Sequence, residues 1–237
     1  YVAGEEFCRD LSTSIAMLQG VCIFMRTEPL RLILWEKVSE MRARRFKGIL
    51  DRAFSIYNIE KDFPHGQALF ERLANIADEI KDIFVYHEVG EAIEDRYGIQ
   101  WHYLSFNDRW LELYLRGIKD LLADTSLNGL LRLIIDRKDE RLLLFYLMFL
   151  DGIRRGFFPE IMNSYQYFLD SGDWGLIEEA RLKGYDRARS IMEEISIHID
   201  SNKTSSECNI LLKSCLEDRL NKLNVNSERD SIDQKKR

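Results

Sequence analysis

The sequence predicts an all-α protein: a multi-helix bundle around a central apolar helix, forming a single domain with a flexible C-terminal tail. Three observations carry that expectation. Only three prolines and thirteen glycines interrupt the 237 residues, too few for a turn-rich β fold. Apolar side chains recur at three- and four-residue spacing over most of the chain, the period of helices that bury one face. Leu142–Leu150 is apolar without a break, and a helix that is apolar on every side belongs inside a bundle. A strand reading of that run is weaker, because no Gly or Pro bounds it closely.

The elements follow in order. Phe7, Leu11, Ile15, Leu18, Cys22 and Met25 form a first helical stripe that ends at Thr27-Glu28-Pro29. Pro29 opens a second helix, where its missing N–H costs nothing. Leu30, Ile33, Leu34, Val38 and Met41 line it, and it runs on through the basic segment Arg42–Lys47 to Ile49, Leu50 and Phe54. Lys61-Asp62-Phe63-Pro64 breaks the chain before a third helix from about His65 to Tyr97, which Gly98 caps. Ser105 or Asn107 caps a fourth through Trp110, Tyr114, Ile118 and Leu121. Asp124-Thr125-Ser126 marks a new start before Leu130–Ile135, and the Asp136–Arg141 charges precede the central run. Gly156 and Pro159 interrupt again, followed by a short helix over Ile161–Leu169 and a long one over Trp174–Ile199. The expected organisation is a bundle over 1–200 and a polar tail over 201–237. In the tail Ile210, Leu211, Leu216, Leu220 and Leu223 can form one amphipathic helix, and Asn224–Arg237 is expected to be disordered.

Composition excludes several classes. The net charge of −6 argues against a general nucleic-acid coat, which needs a positive field. The longest apolar run is half of what a bilayer crossing needs, so no membrane partner is expected. Tyr1–Glu6 has neither the basic start nor the apolar core of a signal peptide, and without an initiator methionine residues upstream of Tyr1 are expected to be missing. Cys8, Cys22, Cys208 and Cys215 show no C-x-x-C spacing, so a reducing cytoplasmic setting is the default and Cys22 is expected to be a small core residue. Phosphate-loop, dinucleotide and serine-hydrolase glycine motifs are absent from the sequence.

The chemistry concentrates in His87-Glu88-Val89-Gly90-Glu91. The apolar stripe Leu69, Leu73, Ile76, Ile80, Ile83, Phe84 runs directly onto His87, then Glu91 and Glu94. Ionisable groups aimed at a core must find partners or an ion. His87 and Glu91 share one helix side and can ligate a divalent metal, with Glu88 or Glu94 as a further ligand or base. The competing reading is a buried polar network that fixes helix register. Neither the H-E-x-x-H of zinc proteases nor the Glu-x-x-His of di-iron bundles is present. Glu194 and His198, again four apart, can join the set if the last long helix packs beside the third.

Arg154 shares a face with Leu143, Leu147 and Leu150, so a carboxylate must neutralise it: Glu91, Glu94 or Asp151. Its functional alternative is to hold an anionic ligand. Glu112, Arg116 and Asp120 read as a solvent-side ion-pair ladder; Asp120 and Asp124 can serve as ligands only if a partner helix covers their face. The Arg42–Lys47 cluster, with Phe46 its one aromatic, suits phosphates or an acidic partner.

The HEVGE segment, Arg116-Gly117-Ile118-Lys119-Asp120-Leu121-Leu122-Ala123-Asp124-Thr125, Asp151-Gly152-Ile153-Arg154 and Phe158-Pro159-Glu160, in that order, resemble an uncharacterised family of bacterial cytosolic all-helical proteins. The resemblance covers about Tyr1–Ile199 and excludes the tail. It implies a bacterial cytosolic location and a single domain, and it carries over no catalytic residues. The expected function is binding, of a small ligand, a metal or a protein partner, with a homo-oligomer as one form of the last. A metal-dependent enzyme using His87 and Glu91 is the alternative, and the sequence leaves open whether the protein is an enzyme.

Overall fold

The N-terminal apolar stretch is a β-hairpin and not the helix its spacing predicts. In the computed structural model, β1 (Ala16–Gln19) pairs antiparallel with β2 (Cys22–Met25), Leu18 opposite Ile23. Gly20 turns the corner at φ +60°, the positive φ that a two-residue hairpin loop demands at its first position. Cys22, expected in the core, is consequently exposed. The structure describes residues 14–94, 109–150, 152–200 (side chains to 197) and, in the tail, 207, 210–219, 221 and 223. Phe7 and Leu11, the Gly98, Ser105 and Asn107 caps, Asp151, the His198 side chain and the terminal Asn224–Arg237 stretch lie outside these residues.

Apart from the hairpin the described chain is helical. It separates into two compact units, Tyr1–Glu88 and Val89–Arg237. In the first, α1 (Thr27–Ala43) buries Leu30, Leu34, Val38 and Met41 and packs on α3 (Gln67–Ile80) and α2 (Ile49–Ser55). The expected continuous second helix is interrupted between α1 and α2: Arg44 is extended, and Gly48 starts α2 afresh with its N–H held by the Asp51 carboxylate. Four cations in six residues repel one another and give that stretch no apolar face to bury.

The expected third helix is likewise two. α3 buries Leu69, Leu73, Ile76, Ala77 and Ile80 as its spacing predicts, stops at Lys81, and is followed by α4 (Asp82–Glu94). The division between the units falls inside α4, which is one continuous helix.

The second unit contains α5 (Arg109–Thr125), α6 (Leu130–Arg137), α7 (Glu140–Phe149), α8 (Gly152–Phe157), α9 (Pro159–Ser171) and α10 (Trp174–Asp200). Every residue from Leu142 to Met148 is buried, so α7 is the all-round apolar core helix the sequence predicts. α10 packs against α5, α6, α8 and α9. Gly184 lets it approach α8's end closely, since a Cβ there would lie 2.6 Å from the Phe158 ring. Arg187 on α10 grips both Glu160 oxygens and the Phe157 carbonyl, a fork that ties three elements.

In the tail, residues 210–219 are helical. Leu212 and Leu216 are fully buried, whereas Ile210 and Leu211 are exposed, so the apolar face is offset from the one the sequence suggests. Arg219 pairs with Glu194, and Lys213 lies over the Trp110 ring at 5.1 Å.

α7 depends on its start. The Asp139 carboxylate accepts from the N–H groups of Arg141 and Leu142. Asp139→Ala removes that cap, and chemical denaturation should show a loss of about 1 kcal/mol. An unchanged midpoint would mean that core packing alone positions the helix.

Candidate metal centre

Gly90 positions this site. A glycine inside a helix costs about 1 kcal/mol against alanine, and here a steric reason keeps it. A Cβ at position 90 would sit 2.8 Å from the Ala123 carbonyl carbon and closer still to its oxygen. Without one, α4 lies directly on the C-terminal half of α5, and Glu91 meets α5 side chains.

One imidazole and two carboxylates converge there. His87 and Glu91 stand one turn apart on α4, and Asp120 faces them from α5; their ligating atoms all lie within 4.8 Å of one another. All three are half-buried. A tetrahedral shell with bonds of about 2.1 Å spaces its ligands about 3.4 Å apart, so small side-chain rotations would close the set. Lys119 contributes a competing charge, its ammonium 3.4 Å from Glu91 Oε2.

His87 and Glu91 are thus together, as their spacing predicts. The spacing puts Asp120 on a solvent-side ladder unless a partner helix covers it; Arg116 and Glu112 form that exposed pair, and α4 covers Asp120. The signal for Asp120 was its position one residue beyond a buried stripe, legible only once α4 is known to cover that side.

The remaining candidates take other roles. Glu88 accepts a hydrogen bond from the Leu18 backbone N–H at 2.8 Å, tying α4 to the hairpin in the first unit. Glu94 bonds Tyr185 and feels the Arg189 charge, but burial dominates and holds its carboxyl above the usual range. Glu194 is engaged by Arg219 on the tail helix.

Arg154 turns to Asp124, at 3.4 Å, and donates to the Phe149 carbonyl at 3.0 Å. The carboxylate it meets, Asp124, is not among those the sequence offered, and Asp151 lies outside the described residues. Asp124 is the better-placed carboxylate because it is only 1% exposed and must itself be neutralised. Far from opening a new helix, Asp124 and Thr125 end α5 inside the core. There Arg181, 3% exposed, donates to the Thr125 carbonyl and to Glu178. A cation at a helix C-terminus offsets the negative end of its dipole. Arg181 lies on the buried face with Ile177, Gly184 and Ala188, a spacing that could have flagged it. Beside Asp124 and Arg154, Tyr146 is buried with its hydroxyl unbonded among the described residues; burial first, then the Asp124 charge, pushes its phenol well above the usual range.

A family model described as the C-terminal domain of a family of unknown function, DUF6866, matches residues 31–214. The chain belongs to that family. The match includes every residue of the His87–Glu91–Asp120 cluster and runs past Ile199 into the tail helix. No curated protein and no solved structure matches the chain.

Gly90→Ala should destabilise the protein by about 2 kcal/mol through overpacking, read from thermal or urea unfolding. A neutral result would show that α4 can move off α5 freely. Glu94 gives a pH test. Its folded pKa is raised, so its favourable contribution is complete below the ordinary carboxyl value and is lost as pH rises through the folded value. Glu94→Gln should therefore gain stability relative to the parent as pH rises above the ordinary carboxyl value. Parallel curves for the two proteins would contradict the burial assignment.

Proposed function

We propose that this domain binds a divalent transition-metal ion through His87, Glu91 and Asp120. The observation that carries the reading is the convergence of an imidazole and two carboxylates, from two helices locked together at Gly90, within 4.8 Å. The donor set narrows the ion. Imidazole with carboxylate suits zinc, iron, manganese, cobalt or nickel, whereas magnesium and calcium prefer all-oxygen shells. Three protein ligands leave coordination positions for water or an exogenous group. The site supports binding better than a reaction, because Arg154, the group expected to hold an anionic substrate, is already held by Asp124 and the Phe149 carbonyl. The free thiols at Cys22 and Cys215 are in keeping with a reducing cytoplasmic setting.

Lys119 supplies a control that ordinary ligand deletion lacks. Titrated calorimetrically with zinc or manganese, the parent should bind one ion, and His87→Ala should lose at least tenfold in affinity. Lys119→Gln removes a positive charge beside Glu91 and should bind several-fold more tightly. No saturable binding by the parent, or equal affinity in all three proteins, would refute the assignment.

A further inference from the structure

The basic stretch between α1 and α2 is not used by the metal site, and the structure shows it to be a presented surface. Residues 43–48 are all exposed. Arg42, Arg44, Arg45 and Lys47 give four cations and no carboxylate between Met41 and Gly48. Phe46 stands among them with 79% of its surface in water.

The segment is held in place. Lys61 donates to the Arg44 carbonyl, Arg42 donates to the Phe63 carbonyl and meets the His65 ring, and Asp51 holds the Gly48 N–H. Trp35 lies two turns before Arg42 on the same side of α1, 38% exposed, with its ring 6.1 Å from His65. Of the cations, Arg44 is paired with Glu40. Arg45 and Lys47 make no ion pair among the described residues.

We propose that this surface, Trp35, Arg42 and Arg44–Lys47, docks on an anionic phospholipid membrane. The charge pattern complements a layer of phosphates and carboxylates, and a bulky aromatic ring flanked by cations on both sides is the arrangement such a layer accepts. The ring enters the acyl boundary, the guanidinium and ammonium groups stay at the headgroups, and an indole sits at the interface behind them. A nucleic acid is the weaker partner, because one aromatic offers a stacking platform for one base and the chain carries a net charge of −6. The contact needs no crossing segment: no helix among the described residues is long and apolar enough to span a bilayer. The short apolar runs that argue against a membrane partner bear on crossing a bilayer and not on a loop tip resting on its surface.

Vesicle co-sedimentation of the full chain tests the proposal, with phosphatidylcholine vesicles that contain or lack phosphatidylserine. The parent should sediment only with the anionic vesicles and be released as salt rises from about 0.1 M to about 1 M. Each cation removed near such a surface weakens partitioning about fivefold, so Arg45→Ala with Lys47→Ala should cost about 25-fold. Phe46→Ala should cost about tenfold. All three positions are exposed, and unchanged circular dichroism would confirm that the variants fold. Failure of the parent to sediment with anionic vesicles overturns the proposal, as does equal binding by the parent and the double variant. Salt-sensitive binding to a single-stranded oligonucleotide without vesicle binding would reassign the surface to nucleic acid.

Discussion

The site depends on one backbone contact: α4 lying against the Ala123 carbonyl at Gly90. That contact fixes the rotation of α4 about its own axis, because only the glycine can face α5 so closely. Once the rotation is fixed, His87 and Glu91 on one side of the glycine turn toward Lys119 and Asp120. The half-buried polar cluster is therefore a by-product of a packing decision made by the smallest side chain in the HEVGE segment. A larger residue at position 90 would disturb both links at once, the local packing and the ligand geometry.

The second unit resolves its buried charges by pairing them, and that settles which arginines are available. A lone buried charge costs several kcal/mol, far more than a surface ion pair returns. Asp124 inside the core therefore demands a cation, and Arg154 supplies it. Arg181 and Arg187 are committed in the same way, to the end of α5 and to the Phe157 carbonyl with Glu160. These three guanidinium groups act as internal ties. The exposed cations of the Arg44–Lys47 stretch are under no such obligation, which is why the two sets invite different readings.

Elements defined by a single strong period were legible in the sequence. α7 has no charged residue from Leu142 to Phe149 to misplace it, α10 spans the length expected of it, and the α3 stripe emerges with its expected buried residues. Misreadings arose where helical spacing and local turn chemistry disagreed. Leu18, Cys22 and Met25 fit a helix, but Gly20 takes a positive φ and the same residues alternate as strands. Helix breaks at Arg44 and Lys81 carry no proline and so passed unseen. At the site, spacing along one helix sufficed for His87 and Glu91. Asp120 and the Arg154–Asp124 pair depend on which helices meet, and one sequence holds no record of that.

Glu88, beside these ligands, has a consequence of a different kind. A two-stranded sheet has an open edge on each strand, and such edges recruit strands from other chains. The Leu18 N–H points away from β2 and is occupied by the Glu88 carboxylate. Glu88 thereby acts as a gatekeeper for β1. Its loss would leave a backbone donor on the outer edge of β1 without its acceptor. One carboxylate thus closes an edge that the hairpin alone leaves open.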